Sequence, residues 1–134
     1  MIALDTSVLV RYLAQDDDTQ SALATALIET HLSAERPGYV NALVLAELHG
    51  VLTRLYGVDR TRFADIARGL LTARALRFDN LRAAWNALQA FEDGHDFGHA
   101  LLAELADDAG CEATVTFDSR LATHPKACLL AAER

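Results

Sequence analysis

The chain opens with an apolar run, Met1 to Leu4, that halts at Asp5 and Thr6 and resumes with helical spacing through Leu13. A short apolar segment that gives way to a 3.6-residue period predicts a buried strand feeding a helix. Polar QDDDTQ at 15–20 reads as a turn, and Leu23, Leu27, Ile28 and Leu32 form one face of a helix over 21–32, broken at 35–38. Tyr39 to Asn41 predict a second short strand, followed by a strongly apolar helix that Gly57 ends. VDRT at 58–61 opens another helix through Phe63, Ile66, Leu70 and Leu71. Leu76 to Phe78 alternate as a strand up to Asp79, and Asp79 or Asn80 can cap a helix through Trp85, Leu88 and Phe91. EDGHDFGH at 92–99 is a polar turn leading into ALLAELADDAG, which Gly110 terminates. ATVTFD at 113–118 predicts a strand, and SRLATHPK leads to a last apolar piece, ACLLA. Strands alternating with helices predict a parallel sheet flanked by helices on both faces.

Composition narrows the class. A chain of 134 residues with 51% hydrophobic content suits one domain with a real core. No internal repeat or low-complexity segment interrupts it. No apolar run reaches the length of a membrane span, and the N-terminal segment carries Asp5 and no basic start, so a cytoplasmic protein without signal peptide or anchor is expected. Cys111 and Cys128 lack metal-type spacing and are expected to be small buried fillers. The net charge of -7 disfavours loose adhesion to nucleic acid or anionic membrane. A metal-dependent phosphodiesterase remains compatible, because bound cations reverse the local sign. A positively charged partner segment is also compatible.

The acids supply the candidate chemistry. Asp5 and Asp118 both stand at the end of an expected strand, and strand carboxyl ends of a parallel sheet share one edge. Simple capping of the following helix is the alternative for Asp5. Two carboxylates brought together repel unless protonated or bound to a cation. Hard oxygen donors without paired Cys or His favour magnesium or manganese over zinc. Glu47, beside the stripe Val44, Leu48, Val51 and Leu55, is expected at the edge of the core face, where a carboxylate is poorly hydrated. His49 is expected at the surface. His31 and His124 are expected to be solvated, as are Asp107 and Asp108 at a helix end, while His95 is a weaker candidate for touching substrate.

LDTSVLVRYL, LAEL, DFGHALLAELADDAGC and TFD, taken in this order, resemble the PIN domain and especially its small prokaryotic VapC-type toxin branch. The resemblance implies a PIN-like three-layer α/β/α sandwich with a central, mainly parallel sheet of four to five short strands. It further implies a toxin ribonuclease of a type II toxin–antitoxin system that hydrolyses RNA with magnesium or manganese, is inhibited by a cognate antitoxin, and commonly forms homodimers. Carried over, the catalytic positions are Asp5, Glu47, Asp96, His99 and Asp118, with Asp5, Asp118, His99 and Asp96 as metal ligands. Ser7 and Thr116 fall at supporting polar positions, with local backbone hydrogen bonds as the alternative for both. Arg11, Arg54, Arg120 and Lys126 are candidate phosphate contacts.

One position departs from the pattern. Where the family has its acid in the sixth helix, this chain has His99, and Asp96 reads as the helix N-cap. Three outcomes are open: His99 gives a neutral nitrogen ligand, Asp96 leans in as a substitute, or the site keeps fewer ligands. A His supplies one lone pair and no charge, so weak magnesium binding with a shift toward manganese is expected. The rival expectation is a PIN-fold protein with a weakened or inactive centre that acts by binding RNA or antitoxin.

Overall fold

The computed structural model describes residues 1–131. They fall into two compact units, Met1–Leu81 and a second that begins at Arg82.

In the first unit three strands, β1 (Ile2–Ala3), β2 (Gly38–Val40) and β3 (Leu76–Phe78), pair in parallel in the order β1-β2-β3. Ile2 lies opposite Gly38, and Gly38 and Val40 lie opposite Leu76 and Phe78. Parallel neighbours require crossovers. Here α1 (Thr6–Ala14) with α2 (Asp18–Ala26), and α3 (Ala42–Leu55) with α4 (Arg60–Leu71), supply them. Each helix start is fixed by a side chain that accepts from the opening turn: Asp17 from Gln20 N at 2.8 Å, Asn41 from Val44 N at 3.0 Å and Asp59 from Arg62 N at 2.8 Å. Leu4, Leu9, Val40, Leu48, Leu52 and Phe63 form the core. Gly38 is required by close approach, since a Cβ there would lie 2.8 Å from Leu32 Cδ1 and 2.9 Å from Leu4 Cδ1. The helix expected over 21–32 starts earlier, at Asp18, and its last turn, Leu27–His31, widens to π geometry.

The second unit holds nearly all of α5 (Leu81–Glu92), then α6 (Phe97–Asp108), β4 (Thr114–Thr116), a 3-10 turn (Leu121–Thr123) and β5 (Ala127–Leu129). Strands β4 and β5 pair in parallel, Thr114 opposite Ala127 and Thr116 opposite Leu129. Phe91 and Phe97 meet edge-to-face at 6.1 Å between ring centres, and Ala84, Leu88 and Leu101 are buried with them in this unit. Helix α6 begins at Phe97, three residues before the apolar run, because Asp96 caps it. All strand pairings among the described residues are parallel, as the alternation of elements predicts, and the five strands divide into ladders of three and two. Cys111 and Cys128 are free and exposed, not buried fillers. Cys111 follows the turn at Gly110, and Cys128 is the middle residue of β5, opposite Val115 in a two-stranded ladder.

Candidate active site

Asp5 leaves β1 and enters α1 as its N-cap. Its Oδ2 accepts from the Ser7 hydroxyl at 2.6 Å and from Ser7 N–H at 3.2 Å. The hydroxyl bond, then the N–H bond, holds the Asp5 pKa below the usual carboxylate value. Capping is therefore real, and it keeps an exposed carboxylate ionised rather than consuming it. Ser7 is brought to the first acid itself. Thr6, buried beside it, donates to Glu47 Oε2 at 3.4 Å and so ties the start of α1 to α3. Glu47 is exposed, contrary to the poorly hydrated setting expected: α3 buries Val44, Leu45, Leu48 and Leu52 and turns Glu47 outward.

A further strand-end acid, Asp79, is committed to backbone. Its Oδ2 accepts from Ala42 N at 3.3 Å and its Oδ1 from Asn80 N at 2.9 Å, which fastens the end of β3 to the start of α3. His49 is half-buried and stands edge-on to Phe63 at 4.6 Å. Arg11 is engaged rather than free for phosphate: Nη1 donates to Asp16 at 3.1 Å and to the Tyr56 hydroxyl at 3.2 Å, and Nε donates to Gln20 at 2.8 Å. Arg54 turns back on its own helix, with Nε 3.2 Å from Gly50 O.

In the second unit Asp96 Oδ2 accepts from His99 N at 2.9 Å, the cap read from the sequence. The His99 ring lies between two acids, with Nδ1 3.9 Å from Asp96 Oδ2 and Nε2 3.5 Å from Asp118 Oδ2. Asp118 follows β4. Its N–H donates to Thr116 Oγ1 at 2.9 Å, while its Oδ1 accepts from Arg120 N at 2.8 Å and Leu121 N at 3.4 Å. The Arg120 amide, followed by that of Leu121 and by the nearby His99 and Arg120 charges, lowers the Asp118 pKa. Thr116 thus makes the local backbone bond that was the alternative to a metal role. Arg120 is exposed.

Two second-unit residues expected in solvent are held elsewhere. His124 is 4% exposed and faces Glu104, and Lys126 Nζ is bound to Glu104 at 2.7 Å and Asp107 at 3.1 Å, so Lys126 is not a free phosphate contact and Asp107 is not simply solvated. Glu104 itself escaped the sequence reading. Its spacing was the available signal, since Phe97, Ala100 and Leu101 lie seven, four and three positions before it on the buried face.

Among the described residues no group of three or more His, Cys, Asp or Glu side chains is placed together to hold a metal ion. The donor chemistry nevertheless fits a hard divalent cation. Asp5 and Asp118 are exposed, ionised oxygen donors; Ser7 engages Oδ2 of the first, and the turn amides engage Oδ1 of the second.

Parallel strands that deliver acids to the starts of turns and helices define an α/β protein with carboxylate chemistry at its strand ends. The PIN-domain family model matches residues 2–127, across both units, and the chain belongs to that family. PIN domains are generally metal-dependent nucleases. Comparison with curated proteins and with solved structures gives no match. No helix among the described residues is long and apolar enough to cross a membrane.

Proposed function

We propose that this PIN-domain protein is a divalent-metal-dependent endoribonuclease and the toxin of a toxin–antitoxin pair. One observation carries the reading. In a chain matched almost throughout by the PIN model, Asp5 and Asp118 both follow parallel strands and are both kept ionised by local donors. Asp5 and Asp118 would each serve as a ligand for magnesium or manganese, with His99 contributing a nitrogen beside Asp118. When bound, such an ion would supply Lewis acidity toward the scissile phosphate and toward a water. Glu47, exposed and steadied by Thr6, takes the water proton at its carboxylate, and hydrolysis leaves a 3′-hydroxyl and a 5′-phosphate. An acidic chain of this kind suits a basic antitoxin segment, and a homodimer is part of the same proposal.

A specific observation favours a second reading, a weakened centre that acts by binding. Asp96 is committed to its cap, and an imidazole faces Asp118 where the family resemblance places an acid. Incubating the purified protein with end-labelled structured RNA separates the two. Cleavage with Mn²⁺ exceeding that with Mg²⁺, abolished by chelation and giving 5′-phosphate ends, supports the nuclease. Tight RNA binding with no cleavage in either metal supports the second reading. Growth arrest on expression, relieved by the cognate antitoxin, tests the toxin assignment.

A further inference from the structure

We propose that Glu104 is a positioning residue for Asp118, acting through His124 and Lys126; the inference rests on the reading that Asp118 is catalytic. Glu104 and His124 are 5% and 4% exposed. A buried carboxylate is costly unless paired and hydrogen-bonded. Glu104 is paired twice: Oε1 accepts from Lys126 Nζ at 2.7 Å, and Oε2 lies 3.6 Å from His124 Nε2. The His124 tautomer follows from its other nitrogen. Nδ1 accepts from Lys126 N–H at 3.0 Å, which places the ring proton on Nε2, toward Glu104.

What Glu104 grips is the far end of the Asp118 turn. Asp118 opens it by accepting from the Arg120 and Leu121 amides, and Ala122 N–H donates to Asp118 O at 3.0 Å. His124 N–H closes it on Leu121 O at 3.0 Å, and Ala127 N–H then donates to His124 O at 3.0 Å as β5 begins. The seven residues from Asp118 to His124 thus form one hydrogen-bonded unit. Glu104, which grips that unit, is set in α6, the helix whose first turn carries His99 opposite Asp118. A buried ion cluster is often no more stabilising than apolar packing of the same volume. Its use here is to fix where the 118–124 turn sits on α6.

The test uses the full chain. In metal-free protein, Glu104→Gln should speed amide hydrogen exchange at Arg120 and Leu121 by roughly tenfold while amides of α5 keep their protection. With RNA and Mn²⁺ the same variant should lower kcat about tenfold and leave KM unchanged. Phe91→Leu, a core change in α5, serves as the control: it should lower the melting temperature without lowering kcat. His124→Asn, which keeps the acceptor for Lys126 N–H but retracts the donor from Glu104, should repeat the exchange result. If Glu104→Gln does not fold, Lys126→Met is read in the same way. Wild-type exchange at Arg120 and Leu121 in the folded variant overturns the proposal. Wild-type cleavage by Asp118→Asn would instead sink the nuclease reading, and the exchange result would still decide whether Glu104 holds the turn.

Discussion

The turns that carry Asp5 and Asp118 use one device and differ in what stands opposite. Each acid follows a parallel strand and accepts from donors two or three residues on, so each stays ionised while exposed. At Asp5 the strongest partner is a hydroxyl, Ser7, and across the fold of the first unit the Thr6 hydroxyl meets a second carboxylate, Glu47. At Asp118 the facing side chain is an imidazole, His99, and the nearby Asp96 is occupied with the helix start. The first unit therefore keeps two acids and two hydroxyls. The second has, where the family resemblance places an acid, a group of one lone pair and no fixed charge. Capping and chemistry are compatible roles for one carboxylate, and on the proposed reading the departure at His99 is where the centre is weakest.

A large effect that sharpens this contrast is expected at Glu47. Glu47→Gln should slow RNA cleavage by about a hundredfold in single-turnover assays, since the amide cannot take a proton. A rate near wild type would remove Glu47 from the chemistry. His99→Asp should work in the opposite direction, raising Mg²⁺-supported cleavage roughly tenfold by adding charge and a hard donor. Magnesium titrations of the two proteins check it, and an unchanged midpoint would mean that His99 is not where the centre is impaired.

Smaller effects belong to the scaffold. Asp96→Ala should cost about 1 kcal/mol by removing the cap on α6, whereas Asp96→Asn should cost only tenths, as thermal melts would show. Equal losses would argue that the Asp96 charge matters, not its cap. Burial holds the His124 pKa below its usual value, against the pull of Glu104 and with the help of the His95 and Lys126 charges. The unfolded ring takes up a proton that the folded ring refuses, so this contribution to stability is whole above about pH 6.5 and declines as pH falls below it. His124→Gln should flatten that part of the stability curve.

Much of this was legible along the chain because periodicity and caps are local. The strand-to-helix change at Asp5, the cap at Asp96 and the terminating Gly57 and Gly110, both at positive φ, needed only neighbouring residues. Partnerships distant in sequence were not legible. Nothing in THPK announces that Lys126 reaches Glu104 twenty-two positions back, or that His124 is buried beneath it. Arg11 looks like a free cation until Tyr56, forty-five residues on, is seen to accept from it. Glu47 differs in the other direction, since a position bordering an apolar stripe can face either side and only packing turns it outward.

The central claim is that Asp5 and Asp118 act in one hydrolytic reaction and are more than caps. Asn caps a helix as well as Asp does, so Asp5→Asn and Asp118→Asn leave the local hydrogen bonds nearly intact and remove only the charge. We predict that kcat/KM for RNA falls by about a thousandfold or more in each, with melting temperatures unchanged, and that the double variant falls no further, as for groups that work as a unit. Cleavage near the wild-type rate in either single variant, or losses that multiply in the double, would contradict the account.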